Sequence, residues 1–137
     1  MKRFASLTLI SAVILFAGCS SPPTLSLAVV QEEDHLAFRF ETKNLNGIVG
    51  IRMWRADTKQ VLWKVDLNYF RGSQLAYDGP VPLPASTKFF VQVEVQYDTM
   101  MTAASRGFYF AMTTDARGHV TDLSPLNSIG PDNWPKE

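Results

Sequence analysis

Side-chain chemistry asks for a nucleophile, a tunable acid or base, or a cluster of metal ligands, and this chain carries few of each. It has one cysteine, Cys19, and two histidines, His35 and His119. The histidines lie far apart in sequence, without a nearby His-x-His or Cys partner, so no metal-ligand spacing and no general acid–base pair is spelled out. Each reads as a strand-end or loop residue in water. Gln31-Glu32-Glu33-Asp34 could attract a cation but lacks the Gly and Asn of a calcium loop, and reads as a solvated turn. No Gly-x-Ser-x-Gly elbow and no phosphate-binding glycine loop occurs. The expectation is a protein that is not an enzyme, with no catalytic residue, metal or cofactor.

What remains is aromatic surface. Trp54, Tyr69, Phe70, Tyr77, Tyr109 and Trp134 exceed what one small core can hold once Phe38, Phe40, Trp63, Phe89, Val91 and Val93 are inside it. Aromatics left outside can stack on sugar rings or anchor a protein interface, because they bring large rigid area at little entropic cost. Trp54, with Arg52 beside it, Tyr69 and Tyr109 are the candidate binding surface. The bland reading is that isolated surface aromatics do nothing.

Cys19 is explained by what precedes it. Lys2 and Arg3 lead into the apolar run Phe4 to Phe16, then small residues, which is the layout of a secretory leader. The run is shorter than the roughly 20 apolar residues that span a bilayer. Phe16-Ala17-Gly18-Cys19 resembles the lipobox of bacterial lipoprotein precursors, with Phe16 where Leu is usual. The resemblance implies a diacylglyceryl group on the Cys19 thiol, cleavage between Gly18 and Cys19, and acylation of the freed amine. Several acyl chains together hold a protein firmly on a membrane. Ser20, rather than Asp, after the cysteine implies export to the outer membrane in a diderm cell, with the domain facing the periplasm. The chain then divides into a signal peptide (1–18), a lipidated tether (19–24), a domain (25–122) and an irregular tail (123–137).

The domain reads as all-β. Leu25, Leu27 and Val29 alternate, as do Leu36, Phe38 and Phe40, then Phe89 to Tyr97, then Phe108, Phe110 and Met112. Strands are expected near 25–30, 36–42, 48–56, 60–67, 75–77, 88–98 and 104–113, about seven in an antiparallel sandwich, with helices absent or single-turn. The 48–67 hairpin fixes its own register. Pairing Ala56 with Gln60 puts Val49, Ile51 and Met53 on one face with Trp63, Val65 and Leu67, while Arg52 and Trp54 join Leu62, Lys64 and Asp66 on the other. Trp63 is then a core residue and Trp54 an aromatic on a charged outer face.

From Gly50 to Tyr97 the order of features resembles the fibronectin type III domain. Leu83, Thr87, Phe89, Val91 and Val93 are similar to its Leu-x-Pro-x-Thr-x-Tyr-x-Val-x-Val run. Phe89 stands where that family has a tyrosine, so the hydroxyl bond of that tyrosine is missing. The resemblance implies a sandwich and no chemistry.

Charge narrows the partners. The chain has 13 Lys+Arg against 13 Asp+Glu, and losing Lys2 and Arg3 with the leader leaves 11 against 13. Without a basic stripe, nucleic acid is excluded. The expected function is a membrane-anchored envelope lipoprotein acting as a structural or protein-interaction module, with a carbohydrate- or peptidoglycan-binding module as the alternative.

Overall fold

A computed structural model describes residues 8–14 and 22–136. The lipobox residues Phe16 to Cys19 lie outside the described residues. The strands are β1 (Thr8–Ile14), β2 (Thr24–Glu32), β3 (His35–Lys43), β4 (Gly47–Arg55), β5 (Val61–Phe70), β6 (Gln74–Ala76), β7 (Lys88–Asp98), β8 (Ala103–Thr114) and β9 (Val120–Leu126). They form two antiparallel sheets, ordered β1-β2-β3-β6 and β5-β4-β7-β8-β9. Among the described residues the sole helical element is a 3-10 turn, Pro131–Asn133.

All seven expected strands are present as β2 to β8. Two more stand beside them. β1, within the span read as leader, pairs along its whole length with β2, from Thr8 opposite Gln31 to Ile14 opposite Leu25. β9 runs through the expected boundary at residue 122, so the first four residues of the supposed irregular tail are strand. Its period is hidden because Asp122, Ser124 and Pro125 interrupt the apolar positions.

The core lies between the sheets. Leu25, Leu27, Val29, Phe38 and Phe40 face Ile51, Met53, Phe89, Val91, Val93, Phe108 and Phe110, all buried. Burying a large apolar side chain contributes about 1.5–3 kcal/mol. Trp63 sits among them, stacked on Phe38 with centroids 5.5 Å apart, and its indole Nε1 donates to Asp78 Oδ1 at 2.6 Å. Alternation over 89 to 97 puts the odd positions inside, and 89 to 95 are buried, while Tyr97 at the strand end is half-buried and the even-numbered Phe90 is buried as well.

The expected hairpin register holds from Gly50 opposite Asp66 to Met53 opposite Trp63. Irregularities flank it. Between Ile48 and Gly50 the pairing of β4 with both neighbours shifts, so Ile48 rather than Val49 enters the core. Past Met53 the pairing slips again, so Trp54 faces Val61 and not Leu62; Leu62 turns to pack on the core instead. Such bulges invert which face the following residues occupy.

The corner before β7 is pinned without the missing tyrosine hydroxyl. Thr114 Oγ1 donates to the carbonyl of Pro84 at 2.7 Å and accepts from the amide of Thr87 at 3.1 Å.

Candidate functional site

The outer face of the five-stranded sheet carries the residues singled out from sequence. Trp54 on β4 and Tyr109 on β8 both point there, and Arg52 lies beside Trp54 with its guanidinium 5.6 Å from the ring centroid. Arg52 Nη2 donates to Gln92 Oε1 on β7 at 2.8 Å. Tyr69 is 48% exposed, and its hydroxyl donates to Gln96 Oε1 at 3.0 Å, near the opposite end of that face. Among these residues a polar groove of about 230 Å³ opens over Gly50, with Arg52, Lys64, Asp66, Gln92 and Glu94 around it.

The expectation that Trp54 shows on this face is corrected. Trp54 is 0% exposed. The register turned it outward as expected, but the segment after β9 folds back over it. Trp134 stacks on Trp54 at 6.0 Å, Tyr109 meets Trp134 edge-on at 5.9 Å, and Phe90 packs at 5.8 Å. The indole Nε1 of Trp54 donates to the carbonyl of Asn133 at 2.8 Å. Lys136 donates its amide to the carbonyl of Lys59 at 2.9 Å, which fastens the tail to the β4–β5 turn. With Ile129 these residues form a second apolar cluster outside the sandwich. The tail is a cover, and the binding surface proposed around Trp54 is closed at its aromatic centre.

A second feature was not legible in sequence. His35 and His119 come together at one end of the sandwich, on the walls of a cleft of about 410 Å³ with Leu36, Val81, Pro82 and Leu83. Glu33, Asp34 and Gln31 line it too. The volume falls within the roughly 300–1,000 Å³ of small-ligand pockets. Gln31 is buried and braces the cleft: its Nε2 donates to the Val120 carbonyl at 3.0 Å and its Oε1 accepts the Val120 amide at 2.8 Å. One side chain thus supplies β9 with a strand-like pair of bonds from the other sheet.

The turn that carries His119 is built tightly. Asp115 Oδ1 accepts the amides of Arg117 at 2.8 Å and His119 at 3.0 Å, and these bonds hold its carboxyl below the ordinary carboxylate range. Gly118 has φ +82°, and a Cβ there would collide with the Leu83 carbonyl oxygen. On the same side of the molecule Tyr77 donates its hydroxyl to the Pro80 carbonyl at 3.0 Å; burial, with the Asp78 charge adding, pushes its phenol up to about 12. Both histidines follow turn residues at one end of adjacent hairpins, the only sequence signal that could have paired them.

Among the described residues no group of three His, Cys, Asp or Glu is arranged to hold a metal ion. Comparison with protein-family models, curated proteins and solved structures gives no match.

Proposed function

We propose that this chain is a non-enzymatic lipoprotein of a bacterial cell envelope, acylated on Cys19 and facing the periplasm from the outer membrane, whose sandwich docks a partner protein at the end farthest from its anchor. One observation carries the reading. β2 starts at Thr24, next to Pro22 and Pro23, and ends at Glu32 after nine residues in all, a climb of roughly 26 Å. The cleft of His35, Val81, Pro82 and His119, apolar on one wall and polar along the rest of its lining, opens at that far end. A cleft so placed meets an incoming partner rather than the membrane.

The alternative, a carbohydrate module, needs an open aromatic platform for sugar rings. Trp54 would be its centre, but it lies fully buried under Trp134, so this face offers no such open platform and the end cleft favours a protein partner.

The test has two arms. Cys19→Ser should abolish incorporation of labelled fatty acid and leave the leader uncleaved. In cells, a photo-cross-linking residue at His119 should form an adduct that Val81→Asp removes, while the same residue at Lys64 on the outer sheet face forms none. An adduct from Lys64 but not from His119 would move the docking site to the outer face.

A further inference from the structure

Four large apolar side chains are exposed among the described residues: Tyr69, Val81, Met100 and Met101. Val81 belongs to the cleft. The other three lie at the opposite pole, where the described chain resumes at Pro22 and β2 begins. A chain of hydrogen bonds connects that pole. Asn44 Nδ2 donates to the Pro22 carbonyl at 3.0 Å, the Asn46 amide donates to the Gln96 carbonyl at 2.7 Å, and Asn46 Nδ2 donates to Asp98 Oδ1 at 2.9 Å. Asp98 closes β7, and the next residues are the tip of the β7–β8 hairpin.

That tip is a constructed one. The Thr99 amide donates to the Thr102 carbonyl at 2.8 Å, as does its hydroxyl at 2.7 Å. The same hydroxyl accepts the amides of Met101 at 3.1 Å and Thr102 at 2.9 Å. The bonds hold two adjacent methionines in water, 98% and 91% exposed. Single exposed apolar residues are ordinary; here two stand side by side on a tip braced by the Thr99 hydroxyl. Methionine is flexible and polarisable, suited to a yielding partner. Tyr69, with an apolar ring and a wet hydroxyl, has the character of residues that sit at membrane interfaces. Lys43, paired with Thr24 at the foot of the tether, and Arg71, just past β5, add cations at the same pole, which anionic headgroups attract.

We propose that Met100 and Met101 dip into the interfacial layer of the membrane that holds the lipid anchor, making a second contact that sets the domain upright. The proposal rests on the anchor reading above. Only Ser20 and Ser21 separate Pro22 from Cys19, so the reach of the chain keeps the acylated residue within about 11 Å of Pro22. An acylated Cys19 therefore draws this pole, and the methionine tip with it, to the bilayer. The two contacts together point the cleft away from the surface.

The acylated full chain in phosphatidylethanolamine–phosphatidylglycerol vesicles provides the test. Cys19 is the only natural thiol, and acylation blocks it, so Met101→Cys and Arg117→Cys each carry one site for an environment-sensitive fluorophore. The label at 101 should shift to the blue and be quenched severalfold by lipids bearing a shallow nitroxide, while the label at 117 on the far turn responds only to iodide in water. Equal quenching of both by iodide, with no response to nitroxide lipid at 101, overturns the proposal. A label at 101 shielded from iodide yet silent to nitroxide lipid also overturns it, in favour of a protein contact. A chain that fails to float with vesicles and whose intact mass lacks acyl chains refutes the anchor reading, and the proposal falls with it.

Discussion

Two tryptophans on one hairpin show how far a single residue's position reaches. Trp63 is buried by the sandwich itself, between Phe38 and Tyr77. Trp54 is buried by the tail. Removing a buried Trp side chain costs about 3–5 kcal/mol through lost transfer energy and a residual cavity, so both Trp63→Ala and Trp54→Ala should lower stability by amounts in that range in urea unfolding, Trp54→Ala nearer the lower end because the tail can settle into the space. A loss below about 1 kcal/mol at Trp54, the size expected of an exposed position, would show that the tail does not cover it. Asp115 carries a pH dependence of known sign. Its carboxyl is held below its ordinary value by the amides of His119 and Arg117, so what it contributes is present above about pH 4 and is lost as the pH falls below that through its folded-state value. Amide exchange at 117–119 should rise in that window, and Asp115→Asn should flatten the response.

At the level of elements, the segment after β9 behaves as a clasp. It buries Trp54 with Trp134 and Ile129 and is tied at its far end by the parallel bridge between Gln60 and Lys136. Deleting residues 127–137 should uncover Trp54 and Phe90, shift tryptophan emission to the red and lower the urea midpoint, while β4, β5 and β7 keep their pairing, since their ladder does not involve the tail. An unchanged emission maximum would mean that the clasp is dispensable. The β8–β9 turn contributes in a different way: Gly118 lets it pass against the Leu83 carbonyl, which brings His119 to Val81 and Pro82.

Across the whole molecule, the sheets meet β1 at one side. β1 pairs with β2 and lies near β9, so loss of residues 1–18 leaves β2 as an edge. β6 is three residues long, and β5 carries Lys64 and Asp66, both features that blunt an edge. Between Thr24 and Val30, β2 has no charge and no proline. Its amides should therefore exchange faster in a chain starting at Cys19 than in a Cys19→Ser precursor that keeps its leader, with β7 unaffected; equal exchange would show that β1 does not protect the edge. The alternation of Phe89 to Val95 and the face-matching of Met53 with Trp63 determined seven of the nine described strands, the sandwich and the central part of the hairpin register, because period two and a two-sided environment leave one consistent pairing. What alternation cannot specify is what lies over an outer face. Burial of Trp54 depends on a tail without strand period returning across the sheet, and the His35–His119 cleft depends on residues far apart in sequence meeting at one pole. Both are long-range contacts, set by how the sheets stack and where the loops end, and only the tertiary structure decided them.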